Sequence, residues 1–308
     1  MKTLVIVTGP TASGKTSLAI ELAQALDTEI VSADSRQLFH DLPIGTAAPT
    51  AAQLAAVTHH LVGTLDLTDY YSAARFEEDA LRILSEIWLH SDYAVMCGGS
   101  MMYIDAVTNG IDQLPTISPQ IRAEVMDLYE KGGLPALHEH LRRLDPAYLD
   151  KADPSNHRRL IHAIEITLQA GVPASTLLTG NRKLRPFRII KIAVGWERAE
   201  LFDRINRRVD AMIAEGFEQE ARRVYPQRHL NSLNTVGYKE LFAMFDGTMD
   251  RETAIARIAK NSRVYAKKQL LWLSKDPDVR ILDPHKPLCP QALRFIKENS
   301  TAKMADNS

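Results

Sequence analysis

Short β-branched runs alternate with segments of helical periodicity along this chain, which opens with such a run at Thr3–Thr8. A glycine-containing turn follows, and then apolar residues at helical spacing over 17–23. Further short apolar runs lie at 29–33, 93–97, 189–194 and 279–282. Strands that alternate with helical or long connecting segments predict a mostly parallel sheet with helices on both faces. The pattern therefore predicts an α/β fold.

The third and fourth predicted strands are separated by far more residues than one crossover requires, so we expect a helical insertion at 111–185. Ser118 and Pro119 suit the N-cap and the first position of a helix, and Gly132–Gly133 suits its end. A second helix is predicted over 134–144, and a third over 156–170, where Gly171 ends it.

The remaining residues form the predicted core, which comprises 1–110 and 186–285. After the fourth strand, the core is completed by helices near 199–214, 218–224 and 251–273. The last residues, 299–308, are polar and are predicted to be a disordered tail. The chain thus combines a sheet-based core with one helical subdomain.

Composition narrows the class of protein. With 308 residues and 45% hydrophobic residues, the chain is long enough to bury a substantial core. It contains no apolar stretch of the ~18 residues that a membrane span needs, and its start runs directly into a strand and turn. Its only cysteines, Cys97 and Cys289, are too few for a disulfide framework or a cysteine-rich zinc site. We expect a cytoplasmic protein without membrane association.

Charge is unevenly distributed along the chain. The formal net charge of −1 argues against a polyanion-binding protein. Residues 251–275, however, contain seven basic side chains and a single acid, Glu252. Such a bias is usually a solvated helix face, so a second observation is needed before it indicates nucleic acid.

The strongest local signal is Gly9–Thr16, which reads GPTASGKT and matches the pattern GxxxxGK[ST] between a predicted strand and a predicted helix. In such P-loops, glycines let backbone N–H groups converge on phosphate oxygens, and the following helix points its positive end at them. Lys15 adds a charge, and the Thr16 hydroxyl can hold Mg²⁺. The motif predicts a phosphate site without distinguishing ATP, a kinase substrate or a diphosphate leaving group.

Two further loops follow predicted strands. One contains Asp34, Arg36 and Gln37, and the other contains two glycines and Ser100. Because open α/β sheets bind ligands at the carboxyl ends of their strands, both loops should face the crevice of the P-loop. An Asp after a strand is as often a helix N-cap as a catalytic base. The Arg and Gln beside it, which suit a phosphate and a base edge, favour a base that accepts a proton from an exocyclic amine.

Taken together, these motifs resemble those of the tRNA dimethylallyltransferases, also called tRNA isopentenyltransferases. The resemblance spans about residues 1–285, in the family's order and at its approximate spacing. It implies a P-loop α/β core with a helical insertion, crossed by a channel that admits a flipped adenine from one side and dimethylallyl diphosphate from the other. The motifs are GPTASGKT at 9–16, ADSRQ at 33–37, HHL at 59–61, GGSMMY at 98–103, VGYKE at 236–240 and AKKQLLW at 266–272.

The resemblance implies transfer of a dimethylallyl group to N6 of the adenine on the 3′ side of the anticodon, at position 37, with release of diphosphate. Asp34 corresponds to the family's general base, and Ser100 takes the place of a threonine near the reacting centre. Mg²⁺ is expected between Thr16 and the diphosphate. The residues expected to bind the diphosphate are Gly9, Pro10, Thr11, Ala12, Ser13, Gly14, Lys15, Thr16, Arg204 and Arg208.

The same resemblance implies tRNA contacts from two segments, one of them in the insertion. There the family pattern QRIxRALE is altered, because Arg158 replaces Gln and His162 replaces Arg. His59 and His60 belong to a family motif, but they have no Cys or His partner at ligand spacing, and we interpret them as structural. The tRNA contacts are expected from Asp34, Ser35, Arg36, Gln37, Ser100, Arg158, Arg159, Leu160, Ile161 and His162.

The chemistry gives the basic C-terminal segment a second reason to indicate RNA. An adenine stacked in a loop must be flipped out to enter such a crevice, and this step calls for contacts with the flanking nucleotides. Arg257, Lys260, Arg263 and Lys267 are spaced three, three and four residues apart and form one stripe on a helix. We predict that the stripe tracks the backbone of a tRNA anticodon stem-loop, and we expect a monomer.

Two other classes of protein fit part of the pattern. The P-loop alone favours a nucleotide or small-molecule kinase, which would turn over ATP. A non-catalytic RNA-binding protein with a vestigial P-loop would bind RNA and form no product. The intact Lys15, Thr16 and Asp34 argue against the second of these.

Overall fold

The computed structural model describes residues 1–301, in which six strands form one sheet in the order β3-β2-β4-β1-β5-β6. Every adjacent pair is parallel. The predicted runs all form strands, and a two-residue strand at the sheet edge was not predicted because it is too short to show alternation. The strands are β1 Thr3–Thr8, β2 Ile30–Ser32, β3 His59–His60, β4 Tyr93–Cys97, β5 Arg188–Val194 and β6 Val279–Leu282.

Helices fill the connections between the strands, and two compact units result, Asn109–Leu184 and the rest of the described chain. The helix predicted over 251–273 is confirmed to the residue. The helices are α1 Lys15–Ala25, α2 Ala51–Ala56, α3 Ala73–Ile87, α4 Met101–Asn109, α5 Pro119–Leu144, α6 Pro146–Leu149, α7 His157–Ala170, α8 Ala174–Leu177, α9 Arg198–Ala214, α10 Phe217–Val224, α11 Tyr238–Phe245, α12 Arg251–Leu273 and α13 Leu288–Thr301.

Both faces of the sheet are covered, as the apolar strands predict. Val5 and Val7 of β1 pack in one cluster with Leu18 and Leu22 of α1. Side chains alternate along a strand, so the residues between them point to the opposite face, and Leu4 and Ile6 there are fully buried too. The predicted P-loop-type α/β fold with helices on both faces is confirmed.

The C-terminal end departs from the prediction of a disordered tail over 299–308. Residues 299–301 belong to α13, and the rest of that predicted tail lies outside the described residues. The helix persists because Ala292 and Ile296 are buried with α1 and the sheet, although the flanking positions are polar. Asn299 then donates a side-chain hydrogen bond to the carbonyl of Phe295, 2.9 Å away. Helix α13 also extends the sheet-based unit beyond the predicted end of the core at residue 285.

The smaller unit, Asn109–Leu184, has its own apolar core between α5 and α7. The predicted N-cap is confirmed, because the Ser118 hydroxyl accepts a hydrogen bond from the Ile121 N–H. Gly133, at φ 60° and ψ −155°, breaks α5 where the sequence predicted a helix end. Gly171 ends α7 in the left-handed conformation, at φ 70°.

Candidate functional site

The P-loop joins β1 to α1 at the carboxyl edge of the sheet. Gly9 and Gly14 adopt φ values of 141° and 91°, which L side chains rarely tolerate, and Ala12 takes a left-handed φ of 63°. Successive turns of this kind present backbone N–H groups on one concave side. The loop therefore has the backbone geometry that an anion requires.

Side chains from the segment after β5 hold the outside of this loop. Trp196 Nε1 donates to the carbonyl of Ser13 at 2.8 Å, and Arg204 Nε donates to the carbonyl of Ala12 at the same distance. The Arg204 guanidinium also stacks on the Trp196 ring, 4.2 Å from its centroid. Since these carbonyl oxygens accept hydrogen bonds from Trp196 and Arg204, the outer side of the loop is held in place.

The Ser13 hydroxyl marks the inside of the loop. It is fully buried, and within residues 1–301 it has no hydrogen-bond partner. A Cβ atom at Gly9 would lie 3.1 Å from Ser13 Oγ, so a side chain there would crowd this hydroxyl. A buried hydroxyl without a partner is unfavourable unless a ligand completes it. An anion in the loop would supply the missing acceptor.

A cavity of about 360 Å³ opens beside the loop and is strongly cationic. The structure brings the predicted Arg204 and Arg208 to its wall with Lys15, and it adds Arg207, which the sequence analysis missed. Their spacing on α9 contained the signal, because positions three and four residues after Arg204 share its face. Arg207 is bonded to Asp203 at 2.7 Å, so its charge is partly compensated. The cavity suits a ligand with several negative charges.

Asp34 lies two residues after the end of β2, near the cations of this cavity. Burial lowers the pKa of Arg208, and the negative charge of Asp34 opposes that shift. Burial likewise lowers the pKa of Lys15, which Cys97 and Asp34 counteract. The carboxylate is thus close enough to interact with both cations, and the crevice joins a phosphate site to a candidate base.

The two interpretations of Asp34, a cap or a base, turn out to be compatible. One carboxylate oxygen, Oδ1, accepts from the N–H groups of Arg36 and Gln37 at 2.9 and 3.4 Å. Within the described residues, Oδ2 forms no hydrogen bond. One oxygen therefore orders the loop, and the other is left to accept a proton.

The loop after β4 supports the loop that carries Asp34. A Cβ atom at Gly98 would lie 2.2 Å from the Ala33 carbonyl oxygen, so only glycine permits this approach. Ser100 Oγ accepts from the Ser35 N–H at 2.8 Å and donates to Ser35 Oγ at 3.2 Å. In the structure, Ser100 therefore positions the residue next to Asp34.

Arg36 and Gln37 use their polar groups within the protein. Arg36 Nη1 donates to the carbonyls of Asn231 and Ser232 at 3.0 and 2.9 Å. Gln37 Nε2 donates to the carbonyls of Thr46 and Ala47 at 3.3 and 3.0 Å. Gln37 Oε1 accepts from a serine hydroxyl, at 3.3 Å. The sequence predicted RNA contacts for these side chains and did not reveal that they bind backbone carbonyls of neighbouring loops.

The loop that receives Gln37 is held in turn by a buried carboxylate. Glu220 accepts from the N–H groups of Ile44 and Gly45 at 2.8 and 2.7 Å and from the Tyr238 hydroxyl at 2.6 Å. Tyr238 is fully buried, and burial raises the pKa of its hydroxyl, as does the adjacent Glu220. Tyr238 of the VGYKE motif therefore helps Glu220 to hold the loop that Gln37 contacts.

We expect Glu220→Gln to destabilise the fold. An amide cannot accept all three hydrogen bonds, and a buried unsatisfied donor costs about 1–3 kcal/mol. Urea denaturation measures the loss, and Glu215→Gln on an exposed position of the same connection provides the matched control. A change in unfolding free energy below about 0.5 kcal/mol, the range of ordinary surface substitutions, would contradict this role.

The predicted basic stripe lies on α12 but is only partly free. Arg257 and Lys260 are exposed. Arg263 donates to the side chain of Asn206, and the Lys267 ammonium lies 5.6 Å from the centroid of the Phe202 ring, so both interact with α9. The sequence spacing was right about the shared face, but it did not reveal the neighbouring helix.

We expect Arg257→Glu and Lys260→Glu to weaken RNA binding in a salt-dependent way. If each cation contacts a phosphate, the slope of log K against log salt becomes shallower by about 0.7 per lost contact to a single strand. Fluorescence anisotropy with a labelled stem-loop at several salt concentrations measures it. Arg294→Glu on α13 makes the same charge change as a control. An unchanged slope would show that these residues do not contact RNA phosphates.

In the smaller unit, the predicted tRNA-binding residues divide into two groups. Arg158, Arg159 and His162 are exposed on α7. Leu160 is 0% and Ile161 9% exposed, and both pack in the core of this unit. The tRNA contacts of this segment stay a prediction, and the structure shows that the basic side chains reach solvent whereas Leu160 and Ile161 pack in the apolar core.

His59 and His60 form the edge strand β3. His60 Nε2 pairs with Glu29 at 2.5 Å, and burial lowers the pKa of His59. Within residues 1–301, no group of three or more His, Cys, Asp or Glu side chains is placed to hold a metal ion. The part of the chain that the structure describes also contains no helix long and apolar enough to cross a membrane.

Comparison with known proteins connects the crevice to a family. A family model described as IPP transferase matches residues 37–276, which include the Ser100 loop, α9 and α12. The protein named tRNA dimethylallyltransferase 2 from Parabacteroides distasonis is 52% identical over 284 residues, covering 92% of this chain and 95% of that protein. Its counterpart from Phocaeicola vulgatus, tRNA dimethylallyltransferase 1, is 52% identical over 277 residues, covering 90% and 92%.

A solved structure shows a similar fold. The full-length tRNA isopentenylpyrophosphate transferase from Bacillus halodurans superposes with a TM-score of 0.71 at 33% sequence identity. The alignment covers 97% of this chain and 96% of that one. The similarity therefore includes both compact units.

Proposed function

Since this chain belongs to the IPP transferase family, we propose that it transfers a dimethylallyl group from dimethylallyl diphosphate to N6 of the adenine at position 37 of tRNA. The observation that carries the proposal is one crevice in which Asp34 lies near Lys15 and Arg208. A kinase also needs a cationic phosphate site, so the cavity by itself does not distinguish the two classes. A transferase that removes a proton from an amine while diphosphate leaves needs both a cationic phosphate site and a base.

The proposed reaction uses both the candidate base and the cationic cavity. The N6 amine attacks the allylic C1 carbon, a C–N bond forms, and the C–O bond to the diphosphate breaks. Asp34 Oδ2 accepts the N6 proton, which makes Asp34 the proposed catalytic residue. Lys15, Arg208 and the P-loop N–H groups stabilise the charge that develops on the diphosphate.

The residues present fit the expected Mg²⁺ ion. Thr16 is the second residue of α1 and lines the cationic cavity, and its hydroxyl lies beside the Cys97 thiol. Burial raises the pKa of that thiol to about 11, so it is neutral and does not compete for the metal near pH 7. When bound, Mg²⁺ would neutralise part of the diphosphate charge. The remaining ligands would come from diphosphate oxygens and water, as is usual for this ion.

The RNA is proposed to meet two exposed basic surfaces. One is the Arg257 and Lys260 face of α12, and the other is the Arg158, Arg159 and His162 face of α7. Base flipping costs a few kcal/mol, which contacts with flanking nucleotides would offset. We propose that the protein acts as a monomer and, given its tRNA substrate, in the cytoplasm.

Transfer and phosphorylation are distinguished by one pair of assays. We expect the protein to add a C5H8 unit to an unmodified anticodon stem-loop when dimethylallyl diphosphate is supplied, and to leave ATP unconsumed with or without RNA. Mass spectrometry of the RNA and a coupled assay for ADP measure the two outcomes. ATP turnover without RNA product would support the kinase instead, and RNA affinity without either product would support a binding protein.

A further inference from the structure

Gln269 on α12 joins two loops of the crevice, although its sequence position is far from both. Its Oε1 accepts from the Thr11 N–H at 3.0 Å, and its Nε2 donates to the Gly99 carbonyl at 2.9 Å. The side chain is 3% exposed. Thr11 belongs to the P-loop, and Gly99 immediately precedes Ser100. One buried side-chain amide thus connects the P-loop with the loop that supports Asp34.

The packing around this amide leaves little freedom. A Cβ atom at Gly99 would lie 2.3 Å from Gln269 Nε2, so the amide sits directly against bare backbone. Tyr265, one turn earlier on α12, directs its hydroxyl at the same Gly99 carbonyl, 3.5 Å away. Only a side chain with one acceptor and one donor satisfies both backbone groups at this place.

We propose that Gln269 is a positioning residue that fixes the separation between the P-loop and the Ser100 loop, and hence between the leaving diphosphate and the attacking amine. This inference rests on the proposed function. It follows from the geometry, because Ser100 holds Ser35 beside the candidate base while the P-loop holds the leaving group. Misplacement of reacting groups by about 1 Å costs up to about 100-fold in rate, while binding is affected less.

Gln269→Met tests the proposal by keeping the length of the side chain and removing both hydrogen bonds. We expect kcat to fall by about 10- to 100-fold, with the KM for RNA changed by less than about 2-fold. Trp272→Phe is the matched control, because it removes the hydrogen bond from the same helix to Asp105, 3.1 Å long, which reaches neither loop. A kcat within about 2-fold of wild type in Gln269→Met would overturn the proposal.

Gln269→Glu adds a pH dependence of the rate that is expected only if the two hydrogen bonds of Gln269 contribute to catalysis. A protonated Glu reproduces the acceptor and the donor, whereas an ionised Glu has no donor for the Gly99 carbonyl. Burial raises the pKa of a carboxyl group, so the protonated form is populated as the pH falls. The ratio of variant to wild-type kcat should therefore rise as the pH is lowered from about 8 to about 6. A ratio that is flat with pH would contradict the role of this hydrogen-bonded bridge.

The outcomes separate this inference from the proposed function. If wild type forms no prenylated RNA, the proposed function fails, and the positioning role that rests on it fails with it. If wild type forms product and Gln269→Met does so at the same rate, only the positioning role fails. Equilibrium binding of dimethylallyl diphosphate to each variant, measured by calorimetry, checks that the P-loop itself remains intact.

Discussion

Asp34→Asn is expected to lower kcat by about 10²- to 10⁴-fold, the range that a general base supplies. The amide side chain retains the oxygen that accepts from the Arg36 and Gln37 N–H groups, so the loop should keep its conformation. It cannot accept the N6 proton. Single-turnover prenylation of a stem-loop measures the effect, with binding of RNA and of dimethylallyl diphosphate measured in parallel.

Asp34→Ala provides the comparison, because it removes the loop cap together with the base. Both variants should lose transfer, but only Asp34→Ala should also loosen the Ser35–Gln37 segment and weaken RNA binding. Near-normal turnover by Asp34→Asn would exclude the carboxylate as the base. Loss of both substrates' binding in Asp34→Asn would instead show that its role is structural.

Lys15→Met is expected to lower kcat by about 10²- to 10³-fold and to weaken diphosphate binding, since it removes a buried cation from the leaving group. The exposed basic surfaces of α7 and α12 are unchanged in this variant, so RNA binding should persist. Calorimetry with inorganic diphosphate and single-turnover kinetics separate the two effects. Lys131→Met is the matched control, because Lys131 is paired with Asp127 on α5 and does not line this cavity.

The charge of Lys15 also implies a pH dependence. Burial lowers the pKa of its ammonium group, so this group loses its proton at a lower pH than an exposed lysine. Affinity for inorganic diphosphate should therefore fall as the pH rises through that lowered pKa, and the fall should be absent in Lys15→Met. An identical alkaline profile in both proteins would assign the pH dependence to another group.

Much of the crevice was predictable because its signals are local. The P-loop consists of eight consecutive residues, and the carboxyl ends of parallel strands place Asp34 and Ser100 at the same sheet edge. Cap and end residues of helices, such as Ser118 and Gly171, are equally local. For these features, the order of residue types along the chain is sufficient.

The features that the sequence did not predict depend on contacts between residues that are distant along the chain. Gln269 meets Thr11 across 258 positions, and Glu220 meets Gly45 across 175, so no local pattern connects the partners. For the same reason, the sequence did not show that Leu160 faces an apolar core or that Ala292 and Ile296 anchor the last helix to the sheet. Such side chains obtain their roles from tertiary packing.

The identity of the modified atom decides whether the protein prenylates the exocyclic amine of adenine. Stem-loops that carry either adenine or inosine at position 37, which lacks the exocyclic amine, are incubated with dimethylallyl diphosphate and Mg²⁺, and the RNA is digested and analysed by mass spectrometry. We expect one C5H8 unit on N6 of the adenine, one diphosphate released per unit transferred, and no product from the inosine RNA. Equal modification of both RNAs, or diphosphate release without modified RNA, would contradict it.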